Sequence, residues 1–241
     1  YARTRNYESS LHRALDRNNI PVAVYHSLIR NVRDNLDTFH RYLRLKHRML
    51  GVDTLKYSDL YAPVVKGLDL KYTFDEAKEL YLDALQPLGA DYRSAAERAF
   101  AQRWIDVYPT SGKRSGAYSN GSAYDVHPYI LLNYSGRYDD VSTLAHELGH
   151  TMHSYYSNTN QPYATADYPT FVAEVASTFN EALLIKKMVR EVKDDDARLS
   201  LLMNYLEGIR LTVFRQTQFA EFELKIHEMA ERGEPLTGDA L

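Results

Sequence analysis

The segment LAHELGHTMH, residues 144–153, places three histidines and one glutamate within a chain of 241 residues that has no cysteine. His146 and His150 are four residues apart, so on a helix both imidazoles project from one face about one turn apart. That spacing suits two ligands of one tetrahedral zinc ion. Glu147 lies one residue further round the helix, where its carboxylate can reach a water on the metal without displacing a ligand. The H-E-x-x-H pattern therefore predicts a zinc site with Glu147 as the general base.

A zinc site needs a third protein ligand, and His153 is the nearest histidine in sequence. His146 and His153 are seven residues apart, which is about 10 Å along a helix axis. Three side chains of one straight helix cannot converge on an ion about 2 Å from each ligand atom. We therefore expect the third ligand to come from another helix. For His153 we keep a supporting role near the metal or the substrate, or a purely structural one.

Glu174 is the candidate for the third ligand. It lies in the apolar segment FVAEVASTFNEALL, so the sequence predicts that it sits in the middle of a helix and is partly buried. A buried carboxylate without a partner is costly, whereas one that binds a metal is satisfied. Glu181, seven residues further along the same face, is a candidate to orient a histidine or the metal shell, with a structural role as the alternative. The alternative for all of these residues is that they are ordinary histidines and glutamates of a helical protein and bind no metal.

The elements that must hold these residues are helices. Apolar spacing predicts one helix over about 139–157, which carries the H-E-x-x-H pattern, and another over about 169–192, which carries the third ligand. Residues 104–135, just before them, are rich in Gly, Ser and Tyr, with β-prone runs at 105–108 and 128–134. We expect a small β-sheet there, beside the active-site helix of an otherwise mainly α fold.

The remaining patterns also predict helices, several of them marked by capping residues. They are a long helix from Asn19 to Gly51, a helix opened by a Thr73–Glu76 capping box, a helix capped by Asp91, and a long pattern from Ala197 to Arg232 that bends at Gly208. No internal repeat or low-complexity linker separates them, so one mostly helical unit is the simplest organisation.

Composition narrows the classes of partner. The net charge is −3 and the sequence pI is about 6.3, which gives no reason to expect nucleic acid or an anionic membrane surface. The longest apolar runs are far too short to span a bilayer. Without cysteine there are no disulfides, which fits a reducing cytosol. The chain begins at Tyr1 without a methionine and has no apolar signal segment, so we expect a piece of something longer.

At this point the residues resemble a known family. HELGHTMH followed by PTFVAEVASTFNEALL is similar to the oligoendopeptidase F branch of the thimet-oligopeptidase-like zinc metallopeptidases. So are RNYESSLHRALDRNNIP, QRWIDVYP, KRSGAYSNGSAYDVHPYILLNY and FRQTQFAEFELKIHE, and together they cover the chain from about Arg5 to its end. The resemblance implies a mainly α, zincin-like catalytic core in a two-lobed fold with a deep channel. It also implies one zinc ion (Zn2+), ligands at His146, His150 and Glu174, the general base at Glu147, and cytoplasmic cleavage of short peptides.

The resemblance also assigns a role to the segment GAYSNGS. In such enzymes the matching segment belongs to a sheet edge beside the zinc, where an extended peptide can add as a strand. Backbone pairing of this kind binds peptides of many sequences with little side-chain selectivity. Gly116 and Gly121 would allow a substrate backbone to approach closely. His127 and Tyr129 are candidates for substrate contact, since half the residues of a short strand face away from the core.

Family members continue beyond the segment matching GEPLTGDAL, into a region rich in His and Tyr that is thought to stabilise the oxyanion. They also carry an N-terminal lobe before the segment matching Tyr1. An oxyanion donor is typically worth about 10²–10³ in rate. We therefore expect residues 1–241 to be the catalytic-core fragment of a longer metallopeptidase, and no tyrosine present is assigned to the oxyanion.

These observations predict a zinc-dependent metalloendopeptidase that hydrolyses short peptides in the cytoplasm, without nucleic-acid or membrane partners. Three alternatives stay open. One is an exopeptidase on the same scaffold. Another is a zinc-bearing helical module that binds peptides without turnover in this truncated form. The third is a purely structural helical domain that holds no metal.

Overall fold

The computed structural model describes residues 2–65, 68 and 70–241. The chain divides into two compact units, Tyr1–Lys66 with Leu202–Leu241, and Gly67–Leu201. The sequence predicts a single unit, and the structure shows two. The sequence does not reveal this division, because the second boundary between the units lies inside the helix Asp195–Ile209 and no polar linker marks it.

The first unit is built from helices. They are α1 (Ser10–Asp16), α2 (Val22–Asp34), α3 (Leu36–Leu50), the last part of α9 (Asp195–Ile209), a π-helical segment (Arg210–Phe214) and α10 (Arg215–Glu231). Near Gly208, where a bend is predicted, the structure has this π-helical segment, which begins two residues later. Its first residue, Arg210, is buried and donates to the carboxylate of Glu207.

The single helix predicted from Asn19 to Gly51 is wrong. The structure has two helices that meet at Asn35, whose φ of −109° and ψ of 13° lie outside the α region. Its side-chain amide donates to the carbonyl of Asn31, a local bond that competes with the helix. Asn19 is not the cap either: it has a left-handed φ of 51°, and Pro21 is the residue that precedes the first turn.

The second unit carries the remaining elements. Its helices are α4 (Phe74–Ala84), α5 (Gly89–Ala101), α6 (Tyr138–Asn160), α7 (Tyr163–Ala166), α8 (Thr170–Glu191) and the first part of α9. The predicted capping box of α4 is confirmed, because Thr73 Oγ1 accepts from the Glu76 N–H and the Glu76 carboxylate accepts from the Thr73 N–H. Asp91 does not cap α5 as predicted, since it lies within the first turn.

Three short strands form the expected sheet. They are β1 (Ile105–Asp106), β2 (Tyr118–Asn120) and β3 (Tyr129–Leu131), in the spatial order β1-β3-β2. β1 is parallel to β3 and β2 is antiparallel to it, with Ser119 opposite Ile130. β2 is therefore an edge strand, and its outer side has no strand partner among the described residues. The mainly α fold with a small sheet beside the active-site helix is confirmed.

The core of the second unit fixes the sheet on α6. Ile130 of β3 is buried with Leu144 and Leu148 of α6. At the edge strand, Ser119 Oγ and Thr151 Oγ1 are 2.7 Å apart in a hydrogen bond. One residue beyond β2, Gly121 packs so closely on α6 that a Cβ there would collide with the Ser154 side chain. The edge strand is thus held against the helix that carries the histidines.

Within the described part of the chain, none of the helices combines the length and the apolar character that crossing a bilayer requires.

Candidate metal centre

The helix α6 presents the H-E-x-x-H residues beside its buried face. In its first turn, the carboxylate of Asp140 accepts the N–H of Arg137, the residue that precedes the helix, and so satisfies a donor at the helix start. Val141, Leu144 and Leu148 are fully buried at helical spacing. The histidines lie at the margin of this face, so their imidazoles are partly exposed while their helix is held by the core.

Three ligand atoms from two helices meet at one point. The Nε2 atoms of His146 and His150 are 3.1 Å apart. Glu174 Oε2 lies 3.4 Å from the first and 3.5 Å from the second. Ligand atoms about 2.0–2.1 Å from a tetrahedral zinc are about 3.3 Å from one another. The near-equilateral triangle therefore fits three ligands of one such ion. Among the described residues, this is the one group of His, Asp and Glu side chains that could hold a metal. We call it the metal triad.

Gly149 allows the two helices to come this close. A Cβ at Gly149 would lie 2.6 Å from the Cα of Ser177 and 2.7 Å from the carbonyl oxygen of Ala176, both on α8. Real side chains do not tolerate such distances to backbone atoms, so any larger residue would push α8 away. Because Glu174 is one turn from Ser177 on the same helix, this approach places its carboxylate above the two histidines.

Glu174 is oriented by its own helix but is not buried as predicted. The Ser177 hydroxyl donates to Glu174 Oε2 at 2.7 Å, the same oxygen that completes the metal triad. The glutamate side chain is 54% exposed, and its apolar neighbours Val175 and Phe171 are exposed as well. The expectation of burial is wrong because Glu174 lies in the second turn of α8 rather than mid-helix, where the described part of the chain leaves this face open.

Glu181 holds His146 from the other side. Its Oε1 lies 2.5 Å from His146 Nδ1, so the carboxylate accepts from an Nδ1–H and leaves Nε2 free for a metal. Burial lowers the pKa of His146, but the hydrogen bond and the negative charge of Glu181 outweigh it, so the pKa lies above its usual value. Glu181 is thus placed where it can orient a histidine.

Glu147 contacts the edge strand through a hydrogen bond with the backbone of Ser119. It is 7% exposed, and this burial is the main reason that its pKa is raised, with the charge of Glu174 adding to it. The neighbouring His146 and a hydrogen bond with the backbone of Ser119 act in the opposite direction. A carboxyl group with a raised pKa is better matched to proton transfer near neutral pH than an ordinary glutamate.

His153 is not part of the metal triad. Its ring stacks on Tyr168, with centroids 3.7 Å apart and an interplanar angle of 15°. Its Nδ1 is buried without a hydrogen-bond partner among the described residues, and burial lowers its pKa. The structure therefore assigns it a packing contact beside the site.

The structure does not bring His127 and Tyr129 to the metal triad. The His127 ring stacks on Trp104 with centroids 4.8 Å apart, and its Nδ1 contacts the carbonyl of Pro128. Tyr129 is 52% exposed and alternates along β3 with the buried Ile130. Neither lines the cavity described next.

A cavity of about 800 Å³ opens between the edge strand β2 and the C-terminal half of α6. It starts at His150 and Ala173, next to the metal triad, and reaches the segment 163–168. Its lining is mostly polar and aromatic: Tyr118, Ser119, Asn120, Gly121, Ser122, Tyr124, His150, Ser154, Asn158, Tyr163, Ala164, Ala166, Asp167, Tyr168 and Ala173. Sequence reasoning missed the residues from 163 to 168. The signal that could have found them is the polar, tyrosine-rich connection QPYATADYP between the two helices of the site.

The fold and the site together define a class. A helical scaffold that joins an H-E-x-x-H helix to a glutamate of a second helix is the arrangement expected of a metallopeptidase core. Residues 1–241 match the protein family described as Peptidase family M3. The chain belongs to this family, which confirms the resemblance drawn from the motifs.

Curated relatives and solved structures agree with this assignment. Oligopeptidase PepF of Bacillus subtilis (strain 168) is 47% identical over 241 residues, all of this chain and 36% of the relative. Group B oligopeptidase PepB of Streptococcus agalactiae is 45% identical over 240 residues, 40% of that protein. The crystal structure of oligoendopeptidase-F from Enterococcus faecium, at 34% identity, superimposes with a TM-score of 0.68 over 100% of this chain and 35% of its own. The chain therefore spans well under half of the length of these proteins.

The close approach at Gly149 can be tested by Gly149→Ala. The added methyl group forces α8 away, so we expect the affinity for Zn2+ to fall at least about tenfold, the lower range for disturbed ligand support. The measurement is a competition titration against a chelator. Gly208→Ala is the matched control, because a Cβ there has open space and helical Gly→Ala is stabilising by roughly 0.5–1 kcal/mol. Equal losses in both variants would contradict the proposed constraint.

The pairing of Glu181 with His146 can be tested by Glu181→Gln in the metal-free protein. Burial of the imidazole remains but the charge is lost, so the pKa of His146 should fall, as followed by NMR titration. The pair raises the pKa of His146 in the folded state. Its stabilisation is therefore present below the unfolded pKa and lost as pH rises through the folded pKa. Glu181→Gln should thus lower the free energy of unfolding more at pH 5.5 than at pH 8.5. Glu191→Gln, at the far end of α8, should leave the pKa of His146 unchanged.

Proposed function

We propose that this chain is the catalytic core of a zinc-dependent metalloendopeptidase that hydrolyses short peptides. The observation that carries the proposal is the triangle of three ligand atoms at 3.1, 3.4 and 3.5 Å, placed beside the buried carboxyl group of Glu147. Two imidazoles, one carboxylate and an open side are the donor set of catalytic rather than structural zinc. Membership of Peptidase family M3 supports the same reaction.

His146, His150 and Glu174 would hold the ion. Zinc, when bound, is a Lewis acid that makes a water molecule a better nucleophile and polarises the peptide carbonyl. The chain's own contribution is orientation. Glu181 fixes the tautomer of His146, and a hydrogen bond with the backbone of Ala173 holds the ring of His150. Burial lowers the pKa of His150, which favours the neutral imidazole that a metal requires. Ser177 holds the carboxylate of Glu174 in position.

Glu147 would move the proton. It accepts one from the attacking water at its carboxylate and then passes it to the nitrogen of the departing amine. Its burial between α6 and the edge strand suits the first of these steps, because a raised pKa makes the carboxylate a stronger base toward the proton of the water.

The edge strand β2 would hold the substrate backbone. Among the described residues its outer side has no strand partner, and the backbone of Ser119 at its centre forms a hydrogen bond with Glu147. A peptide that pairs with this strand lies extended beside the proton-transfer group and beside the cavity. Main-chain pairing of this kind recognises peptides with little regard to side chains.

The fraction of its relatives' length that this chain covers supports the proposal that it is one part of a longer enzyme. Since it covers 36–40% of the first two curated relatives, residues 1–241 are proposed to be the catalytic core of a longer polypeptide, and activity is to be assayed in that full-length polypeptide. We also propose a cytoplasmic location, with which a chain that lacks cysteine is compatible.

Glu147→Gln tests the mechanism. The amide is nearly isosteric but cannot take up the proton, so kcat for a quenched fluorescent peptide should fall by about 10²–10⁴. Bound zinc, measured by elemental analysis, should stay at one ion per chain. Glu97→Gln, an exposed glutamate of α5, should keep wild-type turnover. Wild-type activity in Glu147→Gln would exclude the proposed base, and a protein without zinc in either form would exclude the metal.

Peptides with blocked ends separate endopeptidase from exopeptidase action. A substrate that pairs in its middle with β2 needs no free terminus, so we expect N-acetylated and C-amidated peptides to be cut at the same internal bond as the unblocked peptide, as read by mass spectrometry. Loss of cleavage on blocking either end would instead identify an exopeptidase. Tight binding of these peptides without any product would identify a binding module.

A further inference from the structure

We propose that the cavity beside the metal triad is a subsite for a positively charged group of the peptide, with Asp167 as its counter-charge and tyrosine rings as its walls. The inference rests on the proposed peptidase function and names a feature of the substrate. The positive group is either a lysine or arginine side chain or a free amino terminus, and the two share the same recognition chemistry.

The charge of the residues that line the cavity is the first observation in favour of a cation subsite. Asp167 is the only carboxylate among the residues that line the cavity, and no lysine or arginine lines it. One Asp167 oxygen accepts the N–H of the next residue, Tyr168. No lysine, arginine or histidine of the described chain forms an ion pair with this carboxylate. It therefore presents a negative charge, without an ion-pair partner in the described chain, at the wall of a space that a peptide would enter.

Aromatic rings are the second support. Tyr124 and Tyr163 pack edge to face with centroids 5.6 Å apart, and both line the cavity. Two contacts hold Tyr168 in place: its hydroxyl is hydrogen-bonded to Ser154 Oγ at 2.7 Å, and its ring stacks on that of His153. Ring faces attract ammonium and guanidinium groups. A cavity lined by one carboxylate and several tyrosine rings is thus suited to a cation.

The helix supplies a scale for the position of this subsite. Ser154, which bonds Tyr168, lies four residues after His150, and Ser157, which bonds the carbonyl of Ala166, lies seven residues after it. At 1.5 Å per residue, Ser154 and Ser157 lie about 6 and 10 Å along the helix axis from His150. An extended peptide rises about 3.3 Å per residue. The charged group therefore belongs to a residue about two or three positions from the bond that is cut.

A purely structural role for Asp167 is the competing explanation. The residue lies just before α8, where a negative charge interacts favourably with the N-terminal end of the helix dipole. That role affects stability but cannot select between substrates. The test therefore measures substrate preference and includes a reversal of charge.

The experiment compares paired peptides in the full-length polypeptide. The members of one pair carry lysine or norleucine at a position two or three residues from the cleaved bond, and those of the other pair have a free or an acetylated amino terminus. We expect kcat/KM to be about three- to tenfold higher for the charged member of one pair, an effect of the size of an exposed ion pair with cation–π contacts. Asp167→Asn should abolish the preference, and Asp167→Lys should reverse it toward a glutamate-containing peptide. Asp125→Asn, a nearby aspartate that does not line the cavity, should keep it.

Equal kcat/KM for both members of both pairs in the wild type would overturn the proposal. So would a preference that survives Asp167→Asn, or one that is lost equally in Asp125→Asn. The same pairs are also titrated by fluorescence anisotropy into Glu147→Gln. If the wild type cuts none of the peptides, the proposed function fails while this binding comparison still decides the subsite. If it cuts all of them equally, the function stands and the subsite fails.

Discussion

The site depends on one steric constraint, the contact of α6 with the backbone of α8 at Gly149. Packed helices usually lie 8–10 Å apart, a separation set by the side chains between them. At Gly149 there is no side chain, and the backbone of Ser177 occupies the place where a Cβ would be. A glutamate side chain is short, so a wider spacing would leave Glu174 unable to reach the two imidazoles. The glycine within the H-E-x-x-H pattern is therefore as much a part of the metal triad as its ligands.

The charges around the two histidines explain why such a site favours a cation. Glu147, Glu174 and Glu181 all lie close to His146, and together they favour its protonated form. Burial, together with the negative charges of Glu174 and Glu181, raises the pKa of Glu147. Without a metal, His146 therefore binds a proton more readily than an isolated imidazole would. A divalent ion would have to replace this proton, and so metal binding at this site is expected to strengthen as pH rises.

Sequence reasoning located the centre of the site because helical periodicity carries that information. The four-residue spacing of His146 and His150 fixes a shared face, and the length of a helical turn is enough to set His153 aside. Periodicity does not report exposure: Glu174 has apolar neighbours in sequence, yet that face of α8 is open in the described part of the chain. It also does not detect the break at Asn35, where the helix ends although the sequence keeps its apolar pattern.

Short strands without apolar alternation are also beyond what the periodicity of the sequence can assign. The strand β2 has three residues and no apolar alternation, and it was expected only from the resemblance of GAYSNGS to a known family. Its position is set by tertiary contacts, with Ser119 bonded to Thr151 and Gly121 pressed on Ser154. Both contacts are made with α6, within one turn of His150. The two histidines and the edge strand are therefore held by the same helix, so a peptide that paired with β2 would have a fixed position relative to both imidazoles.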